Sequence, residues 1–176
     1  MKLDFNRIHP SALFIIKQLK DNGFEAYLVG GAVRDLLIEK EPKDFDIVTN
    51  ATNSQIAGLF ENCELIGRRF PIALVRLKGD IFEVSTFVTE SEDQSIAVIR
   101  KREKGEDRTP GTMLEDSSSR DFTINALYYC PVEDRIFDGE GGLNDLSQKK
   151  LVFIGDAESK IQEDPVRIIR GIRQSH

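Results

Sequence analysis

Two aspartates stand one residue apart in Lys43-Asp44-Phe45-Asp46-Ile47-Val48, shortly after the turn Gly30-Gly31-Ala32-Val33-Arg34-Asp35. Phe45, Ile47 and Val48 give the segment strand character. Alternate residues of a strand share a face, so Asp44 and Asp46 point one way while Phe45 and Ile47 enter the core. Two carboxylates so placed can hold a pair of divalent metals about 4 Å apart, the arrangement used for phosphoryl transfer. Upstream, Ala26-Tyr27-Leu28-Val29 reads as a strand that runs through Gly30-Gly31 into a helix. That layout bares backbone N–H groups where a triphosphate can dock. Asp-x-Asp alone is a weak motif, and Gly-Gly before a helix is often only a tight turn. Their strand–turn–helix–strand order is what makes the pair informative.

The chain has 176 residues, 40% of them hydrophobic and 31% charged. This fits one globular domain with a sizeable core, with room for an added element. No apolar run is long enough to span a membrane, and Met1-Lys2-Leu3-Asp4-Phe5 lacks the apolar stretch of a signal peptide. Cys63 and Cys130 then read as reduced thiols in a cytoplasm. With His9 and His176 so far apart, no zinc spacing exists. A net charge of −6 argues against a self-sufficient, tight nucleic-acid binder, because Lys and Arg on phosphates dominate that affinity. Local basic clusters occur at Arg68-Arg69, Arg100 to Lys104 and Arg167 to Arg173; the second reads as a solvated face.

Periodicity predicts a helix from Pro10 to Asn22 ended by Gly23, the first strand, and a short helix through Val33 to Ile38. After the Asp-x-Asp strand, Asn53 is a candidate cap for a helix through Ile56, Leu59 and Phe60. Leu65-Ile66 and Ile72 to Leu77 read as strands, and Lys78-Gly79-Asp80 as a hairpin turn into Ile81 to Phe87. Thr89 to Ser119 reads as a long polar loop, with a short helix at Ile96 to Ile99. Arg120 to Leu127 is a short element, followed by strands at Tyr128 to Cys130 and Ile136-Phe137. Gly141 to Leu146 is a turn and short helix, Leu151 to Ile154 a last strand. A final helix starts near Asp164-Pro165.

Further groups can carry chemistry. Glu83 shares a strand face with Ile81 and Ser85. It completes a carboxylate triad if its strand neighbours the Asp-x-Asp strand; otherwise it is an exposed charge on an edge strand. In Ser119-Arg120-Asp121-Phe122-Thr123-Ile124-Asn125-Ala126, helical spacing turns Phe122 and Ala126 inward. Arg120, Asp121 and Asn125 either face a ligand, the Arg for phosphate and the others for ribose hydroxyls, or form a surface ion pair. In Glu163-Asp164-Pro165-Val166-Arg167-Ile168-Ile169-Arg170, Asp164 as N-cap and Pro165 at the first helical position are explained structurally. Asp164 and Arg167 also share a helix face, where a carboxylate beside a guanidinium can read the edge of a base. Capping does not account for Arg167 and Arg170.

Taken in order, Leu28 to Asp35, Lys43 to Asp46, Arg120 to Ala126 and Glu163 to Arg170 resemble the motifs of bacterial tRNA nucleotidyltransferases and poly(A) polymerases. The resemblance covers nearly the whole chain from Tyr27 on. It implies an α/β fold: a polymerase-β-like nucleotidyltransferase head with a mixed sheet flanked by helices, over residues 1–154, then the start of a helical neck over 155–176. It also implies roles. Asp44, Asp46 and Glu83 would bind two Mg²⁺. Gly30, Gly31 and Arg34 would hold the triphosphate, and Arg120, Asp121 and Asn125 would contact triphosphate and ribose. Asp164 and Arg167, with Arg170 beside them, would select the base without a template.

The segment Leu65 to Val75 is similar to its counterpart in poly(A) polymerases, which favours AMP addition from ATP to an RNA 3′ end over CCA addition, for which CTP would also serve. Ser119 departs from the family, which usually has a second arginine there. The resemblance further implies that the chain stops inside the first neck helix, so that RNA would be held weakly. An inactive nucleotide-binding remnant stays open as a second class, and a small-molecule nucleotidyltransferase as a third, although the latter would not need Glu163 to Arg170.

Overall fold

The computed structural model describes residues 3–67, 72–89, 107 and 109–174. The expected helix at Ile96 to Ile99 and the clusters at Arg68-Arg69 and Arg100 to Lys104 lie outside them.

Helix α1 (Pro10–Asp21) begins where His9 Nδ1 accepts from the Ser11 N–H and Pro10 takes the first position. Ala12, Ile15, Ile16 and Leu19 form its buried stripe, each large side chain contributing about 1.5–3 kcal/mol. It ends at Asn22, and Gly23 turns away at φ 85°. Strand β1 (Ala26–Val29) is wholly buried. Helix α2 (Gly31–Leu37) follows from Gly30, whose φ of 72° suits a residue without Cβ.

Strand β2 (Ile47–Thr49) pairs antiparallel with β1. The aspartates therefore precede the strand rather than lie in it. Val29 N–H still bonds the Asp46 carbonyl at 3.1 Å, but Gly30 then turns into α2, and β1 offers Asp44 no partner. The alternation holds nonetheless: Phe45 and Ile47 pack on the core while Asp44 is exposed.

Helix α3 (Asn53–Leu59) is capped by Thr52, not Asn53, because Thr52 and Gln55 form a reciprocal capping box. Strands β3 (Cys63–Ile66), β4 (Ile72–Leu77) and β5 (Asp80–Thr86) make a meander. Positive φ at Lys78 and Gly79 supports the tight β4–β5 turn. Within the expected 89–119 loop the structure has a helix, α4 (Met113–Ser119), started by a capping box of Thr112 and Glu115. Thr112→Ala should therefore cost about 1 kcal/mol of stability, measurable by urea unfolding.

A single 3₁₀ turn (Thr123–Asn125) replaces the helical spacing read at Arg120 to Leu127, though Phe122 and Ala126 are buried as expected. Strands β6 (Leu127–Cys130) and β7 (Arg135–Asp138) follow, then α5 (Gly142–Ser147). A Cβ on Gly142 would lie 2.2 Å from the Thr123 carbonyl oxygen, so this glycine lets α5 press on the 3₁₀ turn. The expected strand Leu151 to Ile154 is only a bridge, Phe122 to Phe153. Two helices close the described chain, α6 (Ala157–Glu163) and α7 (Val166–Gln174); α6 was not expected.

The described strands form one sheet in the order β3-β4-β5-β2-β1-β6-β7. Only β2 and β5 are parallel. Helices α1 to α3 cover one face, over a core that includes Leu28, Ile47, Val84 and Tyr129. The other face carries Tyr27, Val29, Val48, Phe87 and Tyr128, with Met113 of α4 against them. This is the mixed sheet flanked by helices that the sequence led us to expect.

Candidate active site

The parallel register Ile47–Val84 makes Asp46, just before β2, the neighbour of Glu83 within β5. Glu83 is thus beside the Asp-x-Asp segment, on a central rather than an edge strand. The carboxylates sense one another. Burial, then Glu83, then Asp44 push the Asp46 carboxyl up to about 6, against the opposing pull of Arg120. Among the described residues no group of three or more His, Cys, Asp or Glu side chains converges closely enough to hold a metal unaided. The donor set still suits Mg²⁺: it is all oxygen, negatively charged and mutually repelling. Mg²⁺ takes one or two carboxylates and completes its shell with water and substrate phosphates.

Arg120 lies across from Asp46. Its Nε and Nη2 donate to Asp116 Oδ2 at 3.1 and 2.9 Å, and Nε also reaches the Tyr128 hydroxyl at 2.9 Å. A Cβ on Gly30 would come 3.7 Å from Arg120 Nη1, and one on Gly31 would come 3.6 Å from Arg34 Nη2. The two glycines therefore border two guanidinium groups at ordinary contact distance. Arg34 forks onto Asp35, and its Nη1 donates to Asn125 Oδ1 at 2.8 Å. The Asn125 amide donates in turn to Asp121 Oδ1 and to Gln174 Oε1.

A cavity of about 330 Å³ opens beside this cluster. Five of the expected residues line it together: Arg120, Asp121, Asp164, Arg167 and Arg170. Ser85 and Thr86 of β5 form another part of its wall. Arg170 Nη1 stands 3.5 Å from Asp121 Oδ2. Arg167 Nη1 donates to the Lys160 carbonyl at 2.7 Å and to Glu163 Oε2 at 2.6 Å. Asp164 Oδ1 accepts from the Val166 N–H at 3.1 Å, a capping role. Ser119 also lines the cavity, its hydroxyl turned back to the Asp116 carbonyl.

Residues 26–152 match the family model described as the Poly A polymerase head domain. The chain belongs to that family. The head-domain match takes in β1 through α5 and every site residue except those on α7 and at Asp164. Poly(A) polymerase I of Haemophilus influenzae is 44% identical over 175 residues, covering 97% of this chain and 38% of the relative. The CCA-adding enzyme of Bacillus pumilus is 37% identical over 168 residues, covering 96% of this chain and 40% of the relative. Among solved structures, a Bacillus stearothermophilus CCA-adding enzyme in complex with CTP superposes with a TM-score of 0.79 at 32% identity, covering 94% of this chain and 39% of that one. The chain thus spans well under half the length of these relatives.

Three residues of this head and its following helices escaped the sequence reading. Asp116 is buried beneath Arg120. Lys160 Nζ donates to the carbonyls of Ser118 and Ser119, capping the end of α4. Gln174 fixes the Asn125 amide. The Thr112-x-x-Glu115 box was the available signal for α4, and through it for Asp116. Nothing local marks Lys160 or Gln174, whose partners are distant in sequence.

Among the described residues no helix is long and apolar enough to cross a membrane.

Proposed function

We propose that this chain is the catalytic head of a template-independent RNA 3′-end nucleotidyltransferase that adds AMP from ATP. The observation that carries this reading is an acidic centre, Asp46 beside Glu83 and coupled to Asp44, that shares Arg120 with an arginine-lined cavity. In nucleotidyl transfer the RNA 3′-hydroxyl forms a bond to the α-phosphorus and the bond to the leaving pyrophosphate breaks. Asp44, Asp46 and Glu83 would hold Mg²⁺, which when bound neutralises developing phosphate charge and favours the attacking alkoxide. Gly30, Gly31, Arg34 and Arg120 would cradle the triphosphate, where guanidinium forks match phosphate oxygens. Asp121 and Asn125 would take the ribose hydroxyls, and Asp164, Arg167 and Arg170 the base edge.

ATP is favoured over CTP because the Poly(A) polymerase I relative matches at 44% identity, against 37% for the CCA-adding enzyme. CCA addition is the second reading, supported by the likeness to a CCA-adding enzyme bound to CTP. Residues 1–154 would be the head and 155–176 the start of a helical neck, and this acidic chain would hold RNA weakly. Free thiols at Cys63 and Cys130 accord with a cytoplasmic enzyme.

The test is incorporation of each nucleoside triphosphate, in Mg²⁺, into a generic RNA and into tRNA lacking its last nucleotides. AMP addition to both substrates is expected. Addition of CMP and then AMP confined to the shortened tRNA would establish the second reading. No incorporation from any triphosphate would return the chain to the class of nucleotide-binding remnants.

A further inference from the structure

We propose that Asp116 is a positioning residue that aims the Arg120 guanidinium at the phosphates of a bound nucleotide and ties that aim to the strand carrying Glu83. This rests on the nucleotide reading given above. Asp116 is only 3% exposed. Its Oδ1 accepts from the Val88 N–H at 3.0 Å, just beyond the end of β5. Its Oδ2 accepts from Arg120 Nε, from Arg120 Nη2 and from the Tyr128 hydroxyl, the last at 2.5 Å. A carboxylate offers about four acceptor sites. Asp116 lines the cavity, but it already meets four protein donors, three on Oδ2 and one on Oδ1, so its carboxylate is committed chiefly to the protein. Asp116 therefore acts through Arg120.

The remaining contacts fix the direction of that action. Burial pushes the Tyr128 phenol well above its usual range, so the hydroxyl stays a donor to Asp116. The Arg120 guanidinium also lies 5.2 Å from the centre of the Tyr128 ring. With Nε and Nη2 held by Asp116, Nη1 makes only a long bond to the Asn125 carbonyl at 3.5 Å, and its second N–H is the end of the fork left for a ligand beside Gly30. An arginine fixed in this way has lost its rotamer freedom before any ligand arrives, and donors oriented in advance bind developing negative charge without reorganising. Val88 carries the same carboxylate to β5, so the arginine and Glu83 are referred to one strand.

The experiment is equilibrium titration of the 176-residue protein in Mg²⁺, once with ATP and once with adenosine. Asp116→Asn removes the charge and turns one acceptor oxygen into a donor, which must face either the Arg120 donors or the Val88 N–H. ATP should bind about tenfold more weakly, the loss of one charge-assisted hydrogen bond, while adenosine changes by less than about twofold. Asp116→Asn combined with Arg120→Ala should bind ATP no more weakly than Arg120→Ala alone, because residues acting through one another are not additive. Tyr128→Phe keeps the ring and removes one donor, and should weaken ATP by about two- to threefold. Equal losses for ATP and adenosine, multiplying losses in the double variant, or unchanged ATP affinity in Asp116→Asn would each overturn the proposal. If Asp116→Asn does not fold, Tyr128→Phe decides, and unchanged ATP affinity there overturns it. Failure of the unaltered chain to bind ATP would instead overturn the nucleotide reading, and this inference with it.

Discussion

Asp46→Ala should lower nucleotide incorporation by at least about a thousandfold, since several kcal/mol of charge stabilisation at the transferring phosphate go with the carboxylate. The fold should survive. Asp46 stands before β2, its backbone carbonyl makes the bond to Val29, and an alanine keeps that bond. The folded state in fact disfavours this carboxylate's charge: burial, Glu83 and Asp44 raise its pKa from 3.8 to about 6, although Arg120 pulls the other way. A carboxyl whose folded pKa is raised binds more protons folded than unfolded between those two values. Stability contributed at this site therefore falls as pH rises from about 4 to 6, and the cost is fully present above that window. In protein freed of divalent ions, Asp46→Ala should melt at or above the wild-type temperature at pH 8. The gap should close as pH is lowered through 6. Melting curves across this range check the stability effect, and incorporation of AMP into RNA checks the catalytic one. Near wild-type incorporation by the variant would remove Asp46 from the chemistry.

Arg167→Ala should blunt discrimination among the nucleoside triphosphates by about tenfold to a hundredfold, because each unmatched polar contact at a buried base edge costs roughly 1–3 kcal/mol. Arg167 lines the cavity beside Asp164 and Arg170, and Nη1 is anchored by the Lys160 carbonyl and Glu163. That anchoring holds the rest of the fork in one orientation, which selection among bases requires. ATP binding itself should fall less, since Gly30, Gly31, Arg34 and Arg120, proposed above to hold the triphosphate, remain. Some stability will go with the anchor. The loss should stay local, because neither α6 nor α7 has a fully buried residue. The relative incorporation of ATP, CTP, GTP and UTP decides the matter. An unchanged preference would leave Arg167 with the structural task of pinning α6 to α7.

What the sequence disclosed followed the strength of local patterning. The stripe of Ile15, Ile16 and Leu19 marks α1, and the alternation in β4 and β5 marks their hairpin. The ordered motifs marked the candidate site, and the parallel pairing of β2 and β5 puts Glu83 beside Asp46. Helix α4 is hidden because Met113 and the exposed Leu114 are its only apolar residues, followed by Glu115, Asp116 and three serines, and make no stripe. Helix α6 was hidden for a related reason, having no fully buried residue. Leu151 to Ile154 has strand composition but reaches only the single bridge to Phe122, because it lies outside the sheet order. The Asp116, Arg120 and Tyr128 group depends on α4 lying over β6, a relation that no local pattern encodes.

The contacts of α6 and α7 bear on how such proteins can be recombined. Lys160 caps α4, Arg170 meets Asp121, and Gln174 holds the Asn125 amide. Helix α7 also lies close enough that a Cβ on Gly171 would come 3.2 Å from the Phe122 ring. A hybrid spliced from two relatives at the end of the sheet would join the Arg34 and Arg120 cluster of one parent to the Asp164, Arg167 and Arg170 wall of the other, across contacts tuned in neither. The transplantable unit is the sheet together with both helices, because a splice that keeps residues up to Gln174 keeps Asp164, Arg167 and Arg170 with the Asp44 and Asp46 they are proposed to serve.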